Sequence, residues 1–428
     1  VWKWESCGKG GWRGVGNVIC KYNQESMERN IYLFTNTFPY GNGETFLMNE
    51  IKYLADNFQS VFIIPLQADK NIREVPPSVI ILKPLLSVDT KKDRLKFILS
   101  GLCNLSPIMF ALTEWKISKP YKDSKKTWEF FTFLFRFRCI YKRQHINPKK
   151  NDILYFYWGD KSVMLAPVLK QKYSSTIVVR FHGSDLYEEV KASYIPFRRY
   201  VFPSIDKFIT ISDYGRRYLL GKYPQLVNEN KIFVSRLGVL DQGVNLINRT
   251  DVDCFHLVSC SNLVEIKRIQ LIIKALHLIE FKIKWTHIGD GPLRSVLQAM
   301  SYELPDNIEV NWLGLKTNEE VIKFYQENYI DLFINVSSTE GIPVSIMEAM
   351  SFGIPAMATD VGGVSELVNN SNGILLPSRI DEAFLADMIQ EFVQKNNVTL
   401  RENAREHWEQ NFNAEQNYHA FIQLLKDF

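Results

Sequence analysis

Two glutamates eight positions apart, Glu340 and Glu348, stand in the run Ser338-Thr339-Glu340-Gly341-Ile342-Pro343-Val344-Ser345-Ile346-Met347-Glu348-Ala349-Met350. Pro343 fits the first position of a helix running to Ser351, and a helix start offers free backbone N–H groups suited to a phosphate. Glu340, just upstream, would repel that phosphate. A neutral sugar hydroxyl is the better partner for its carboxylate, and helix capping is the structural alternative. Glu348 lies four residues from both Val344 and Phe352, on an apolar stripe. A carboxylate there must be hydrogen-bonded to offset its desolvation. The two hydroxyls of a ribose would do this, and so would a structural hydrogen bond.

Four further clusters carry the same kind of chemistry. Lys267-Arg268 follow the apolar run Phe255–Cys260 through Ser261-Asn262-Leu263-Val264-Glu265-Ile266. A lysine opening a helix opposes the macrodipole, and a bound diphosphate would reverse that cost. A solvated lysine is the plain alternative. Gly41-Asn42-Gly43-Glu44 forms a comparable loop after the first strand, where Gly43 lets a ligand approach the backbone closely. Arg180-Phe181-His182-Gly183-Ser184-Asp185 ends a buried strand, and His182 there is placed either for a cleft or for a structural hydrogen bond. Gly289-Asp290-Gly291-Pro292 is a strand-to-helix turn whose glycines permit close approach of a ligand or simply make the turn tight. Asp251-Val252-Asp253 has no acidic neighbours to complete a metal site.

The elements that position these clusters follow from patterning. The chain has 428 residues, 46% hydrophobic and 23% charged, which fits two or three globular domains and excludes a disordered or collagen-like chain. Short apolar runs at 31–34, 60–66, 79–82, 153–157, 176–181 and 208–211 read as strands, with a helix from Glu44 carrying Leu47, Ile51, Leu54 and Phe58 at helical spacing. Patterning lapses at 235–250, the expected linker. Strands at 255–260, 285–288, 308–313, 332–336 and 355–358 then alternate with helices near 269–279, from Pro292, and at 318–326 and 343–351, and the tail from Ala383 is helical. Continuous apolar strands separated by helices predict an α/β architecture of two doubly wound parallel sheets, which bind ligands at the carboxyl ends of their strands. The expected domains are 27–240 and 241–412, with helix 413–428 packing back on the first. Val1–Ser26, where Trp2, Trp4 and Trp12 stand among five glycines and no strand precedes them, is read as an extension outside the fold. Cys7, Cys20, Cys103, Cys139, Cys254 and Cys260 form no CxxC pair, which fits a reducing cytoplasm. The longest uncharged apolar-leaning run, Phe97–Thr113, has 17 residues, short of the ~20 that span a bilayer.

With seven residues between Glu340 and Glu348, this segment resembles the E-x7-E motif of the retaining family-4 glycosyltransferases (glycosyl transferases group 1), whose fold is GT-B, two Rossmann-like domains facing a central cleft. The likeness extends over Asp331–Gly373, including Ala358-Thr359-Asp360-Val361-Gly362-Gly363 and Glu366. Ser261–Arg268 resembles the family's phosphate loop, Gly289–Pro292 its G-x-G-P turn, Arg180–Asp185 its H-G-x-D segment and Phe38–Phe46 its first glycine loop. The resemblance implies transfer of a sugar from a nucleotide-sugar donor to a hydroxyl of a growing, lipid-linked glycan, as in bacterial surface-polysaccharide assembly. No metal or other cofactor would be needed, and no nucleic acid would take part. It further implies that Glu348 holds the ribose, Glu340 the donor-sugar hydroxyls, Lys267 the diphosphate and His182 the donor sugar near the reacting centre. Gly43, Asn262, Arg268, Gly289, Gly291, Gly341, Ile342, Pro343 and Val344 would line the donor site. Asn262 departs from the family, which usually has arginine there, and Arg268 is the residue placed to compensate. A nucleotide-sugar epimerase of the same architecture and a noncatalytic sugar-nucleotide-binding protein are the competing readings.

Charge is unevenly spread. Residues 91–150 carry 15 Lys+Arg against 4 Asp+Glu, a local +11 in a chain of net +4, so the remainder is −7. Seven aromatics interleave with Arg136 and Arg138 between Trp128 and Tyr141. Aromatics packed inside the first domain beside solvated charges are the plain alternative. Each basic residue near anionic lipid is worth ~1 kcal/mol, and because the resemblance implies lipid-linked acceptors at the inner face of the cytoplasmic membrane, an anionic membrane surface is the expected further partner. Binding to anionic but not neutral vesicles at low salt is the expected flotation result, and equal behaviour with both would remove the membrane from the picture.

Overall fold

The computed structural model describes residues 29–41, 43–86, 112–116, 128–129, 132, 146–191, 194–244, 254–394 and 398–428. The extension Val1–Ser26, Asn42, the Asp251–Asp253 pair and nearly all of the basic aromatic stretch lie outside the described residues.

Two parallel sheets organise the chain. In the first, β1 (Asn30–Thr35), β2 (Ser60–Pro65), β3 (Val79–Ile81), β4 (Ile153–Phe156), β5 (Thr176–Phe181), β6 (Lys207–Thr210) and β7 (Ile232–Val234) run in the order β3-β2-β1-β4-β5-β6-β7. In the second, β8 (Phe255–Cys260), β9 (Ile283–Ile288), β10 (Ile308–Gly314), β11 (Leu332–Asn335), β12 (Ala356–Thr359) and β13 (Gly373–Leu376) run in the order β10-β9-β8-β11-β12-β13. Every pairing between these strands is parallel, as when β1 sets Ile31 opposite Ile153 of β4. Helices cover both faces, so the strands are apolar at nearly every position; β5 buries Ile177, Val178, Val179 and Phe181. Strand order reverses between β1 and β4 and again between β8 and β11. At such switch points neighbouring crossovers leave to opposite faces and open a crevice at the strand ends.

The edge strands β7 and β13 have no counterpart in the sequence reading. The first helix spans Leu47–Asn57, three residues later than its periodicity predicts. Glu44 adopts a left-handed backbone (φ +54°) and its carboxylate is spent on the β1 loop. The helix Val344–Ser351 begins after Pro343, which is its extended N-cap rather than its first residue.

The chain passes between the sheets twice, and the two passages are joined. Val239 N–H donates to Phe412 O and Ala414 N–H to Val239 O, both at 3.0 Å. Gly238 is needed there, since a Cβ would come within 2.6 Å of the Ala414 nitrogen. The last helix, Ala414–Lys426, then buries Phe421, Ile422 and Leu425 in the same apolar cluster as Ile31 and Val178 of the first sheet and Ile51 of the first helix. Each such side chain contributes roughly 1.5–3 kcal/mol. Among the described residues no helix is long and apolar enough to cross a membrane.

Candidate functional site

The two switch points face one another, and most of the chemistry-bearing residues collect between them. Beyond β5, His182 is 7% exposed, with its ring 4.3 Å from the Trp158 centroid and 4.7 Å from that of Tyr157. Its backbone N–H donates to Asp185 Oδ1 (2.8 Å), and Asp185 Oδ2 accepts from the Gly159 N–H (2.8 Å). Burial alone would raise the Asp185 pKa, but His182 and those amides bring it below the ordinary carboxylate value. Asp185 Oδ2 lies 3.8 Å from His182 Nδ1, beyond hydrogen-bond reach, and neither imidazole nitrogen has a hydrogen-bond partner among the described residues. Both ring nitrogens therefore keep hydrogen-bonding capacity that the described residues do not use.

Gly183 meets the opposite domain at Gly341. A Cβ on Gly183 would lie 3.3 Å from the Gly341 Cα. Behind Gly341 the Gly362-Gly363 turn holds the loop in place. Gly363 N–H donates to Gly341 O (2.8 Å), and Gly362 (φ +60°) passes so close that a Cβ would fall 1.9 Å from Glu340 O. Glu366 closes the interface farther on. Its carboxylate accepts from the backbone N–H groups of Asp213 (3.1 Å) and Tyr214 (2.8 Å), at the start of helix Asp213–Lys222, and from Arg236 (2.8 Å). A carboxylate on a helix N-terminus is favoured by the macrodipole.

Glu340 and Lys267, 73 residues apart, form an ion pair of 2.5 Å between Nζ and Oε1. Lys267 ends the short turn Glu265–Lys267 instead of opening the helix, which starts at Ile269 after a left-handed Arg268 (φ +50°). Arg268 does not fill the place of the missing arginine. Its guanidinium donates to Val336 O (2.5 Å) and Ser337 O (3.1 Å), tying the loop after β8 to the loop after β11. Asn262 is exposed on that loop.

Glu348 lies in a cleft of about 510 Å³, lined also by Phe46 and Asn49 from the first domain, Gly238 from the linker, and Asn318 and Val344 from the second. Asn318 Nδ2 donates to its Oε1 (2.5 Å), and burial pushes the carboxyl pKa up to about 7. One oxygen is therefore partnered within the protein, a contact that the sequence did not reveal.

Four residues expected at the donor site also make contacts within the fold. A Cβ on Gly289 (φ +142°) would fall 1.9 Å from Ser261 O, and one on Gly291 2.6 Å from Leu263 O. A side chain at either position would collide with backbone packed against backbone. Ile342 is 6% exposed and belongs to the apolar cluster of Ile211 and Ile346. Gly43 is exposed, and its carbonyl accepts from Arg73 (2.5 Å). Among the described residues no group of three or more His, Cys, Asp or Glu side chains is placed to hold a metal ion. The sequence reading missed Trp158, Asn318 and the role of Glu44. Only the position of Trp158, two residues past a strand end, signalled it.

Residues 248–413 match the family model described as "Glycosyl transferases group 1". A putative colanic acid biosynthesis glycosyltransferase of Salmonella typhimurium is 27% identical over 423 residues, spanning 92% of this chain and 99% of the relative. Among solved structures, a lipopolysaccharide outer core galactosyltransferase in its apo form superposes with a TM-score of 0.66 at 16% identity, covering 92% of this chain and 98% of that one. An Anabaena protein solved with UDP and glucose superposes with a TM-score of 0.62 at 15% identity, covering 93% and 99%. Residues 248–413 are thus similar to the glycosyl transferases group 1 family, within a chain that has the two-domain GT-B fold.

Proposed function

We propose that this chain is a retaining, metal-independent glycosyltransferase that moves a sugar from a nucleotide-sugar donor to a hydroxyl of a growing glycan in surface-polysaccharide assembly. The observation that carries the reading is the meeting of the His182-Gly183 loop with the Glu340-Gly341 loop across the cleft, with Lys267 beside Glu340. Glu348 would receive the ribose hydroxyls on its remaining oxygen, Lys267 the diphosphate, and Glu340 and His182 the sugar.

In the reaction the bond from the anomeric carbon to the diphosphate oxygen breaks, and a bond to the acceptor oxygen forms on the same face. The acceptor proton passes to the departing diphosphate, whose growing charge Lys267 stabilises. The acceptor would be presented by the first domain, carried on lipid at an anionic surface.

Thermal unfolding against a panel of UDP-, GDP- and ADP-sugars tests the donor class. One series should raise the melting temperature, because a ligand that binds only the folded chain stabilises it by about 2.7 kcal/mol at 100 times its dissociation constant. Protection by none of them would overturn the reading. With the protecting donor and a glycan acceptor, the anomeric proton of the product should keep the donor's configuration. An epimer formed without acceptor would instead identify an epimerase.

A further inference from the structure

Glu44 departs from its surroundings in two ways. It is one of three described non-glycine residues with a left-handed backbone, and it stands where a helix was expected. Holding a non-glycine residue there costs of order 1–3 kcal/mol, so surrounding contacts must fix it. Apart from the Leu47 N–H, which donates to its carbonyl (3.1 Å), those contacts are on its carboxylate. Oε1 accepts from the Asn36 N–H (2.8 Å), and Oε2 from the N–H groups of Thr37 (2.8 Å) and Phe38 (2.6 Å). Three successive amides converging on one point form a nest, a concavity that binds anions such as phosphate. Here the chain's own carboxylate occupies it.

The same carboxylate reaches across the β1/β4 switch point. Trp158 Nε1–H donates to Glu44 Oε1 at 2.7 Å, and the Trp158 ring lies 4.3 Å from His182, whose nitrogens are unsatisfied. Glu44 thus joins the ends of β1, β4 and β5 at one point. An indole without its hydrogen bond would be free to change its tilt, and the imidazole resting on it would follow.

Building on the glycosyltransferase reading, we infer that Glu44 is a positioning residue of the transfer site. Its carboxylate fills the β1 nest and fixes Trp158 as the wall that orients His182. Its occupancy of the nest also leaves the donor diphosphate to Lys267, on the second domain. Glu44 touches no substrate itself, and it acts through the indole.

The test uses the full chain, UDP as the binding probe, and the nucleotide sugar that protects the wild-type protein as donor. Glu44→Gln keeps size but turns an amide N–H towards amide N–H groups. It should lower the turnover rate at saturating donor at least tenfold and leave the UDP dissociation constant within twofold. Trp158→Phe keeps an aromatic ring and removes the N–H. It should lower turnover in the same way without emptying the nest, and the double variant should be no slower than Glu44→Gln alone, because both remove one interaction. Glu44→Ala should recover part of its rate in added formate, which refits the vacated nest, whereas Glu44→Gln should not. Unaltered turnover in Glu44→Gln, additive losses in the double variant, or a UDP constant that weakens in step with the rate would each overturn this role while the transferase reading stood. A wild-type chain that bound neither UDP nor any nucleotide sugar would overturn both.

Discussion

Replacing Lys267 with alanine is expected to raise the dissociation constant for UDP roughly 10- to 100-fold while changing that for uridine less than twofold. The range corresponds to the ~1.5–3 kcal/mol of a hydrogen bond to a charged group. The selectivity follows from geometry. Lys267 is partnered by Glu340 at 2.5 Å, whereas Glu348 lies in the separate cleft lined by Asn318 and Val344. In the unliganded chain the lysine is already neutralised, so a diphosphate must compete with Glu340 for it. The opposite substitution should therefore have the opposite sign. Glu340→Ala frees the cation, so UDP should bind as tightly as to wild type or more tightly, while transfer is lost with the contact to the sugar. Arginine at Asn262, on the exposed loop ahead of Lys267, should tighten UDP further, because Arg268 is committed to the carbonyls of Val336 and Ser337. Calorimetry with UDP and uridine decides the matter: equal losses for both ligands in Lys267→Ala would place the lysine away from the phosphates.

The largest effect on stability is expected at a buried ion pair that plays no direct part in transfer. Arg180 on β5 and Glu50 on the first helix are 1% and 0% exposed and meet at 2.5 Å. Tyr155 donates to the second Glu50 oxygen (3.0 Å), and Arg180 donates to Ser235 Oγ (3.1 Å). The guanidinium carbon lies 4.1 Å from the Phe421 ring centroid, so the pair also anchors the returning C-terminal helix. Arg180→Leu would strand Glu50 in an apolar core, which typically costs 3–5 kcal/mol. For a domain of this size that lowers the melting temperature by on the order of 10 °C. Removing both charges, as Arg180→Leu with Glu50→Leu, strands no charge, although Tyr155 and Ser235 each lose a partner, and should recover much of the loss, since buried pairs replaced by apolar residues are often neutral or stabilising. Thermal melts of wild type, single and double variants rank the three. A double variant no more stable than Arg180→Leu would mean that the pair holds the domain together by more than mutual neutralisation.

Much of this molecule was legible in its residues. Continuous apolar runs such as Ile153–Phe156 marked the parallel strands, since a strand covered on both faces is apolar at nearly every position. The loops that follow them, at His182, Lys267 and Glu340, marked the carboxyl ends of strands, the place where doubly wound sheets bind ligands. Backbone patterning and short motifs are local properties, and a single chain displays them. Contacts between distant segments are not. That Lys267 meets Glu340, that Asn318 takes one oxygen of Glu348, and that Gly289 and Gly291 press on Ser261 and Leu263 depend on which strands are neighbours and in what register. The glycines show the limit most clearly. In sequence, a glycine that admits a ligand is the same as one that admits another loop, and only the tertiary structure supplies what stands opposite. Glu44 shows it again. Its spacing belongs to a helix, but three amides of the β1 loop and one indole outbid that preference. Four hydrogen bonds formed across the fold outweigh the strain of one left-handed residue.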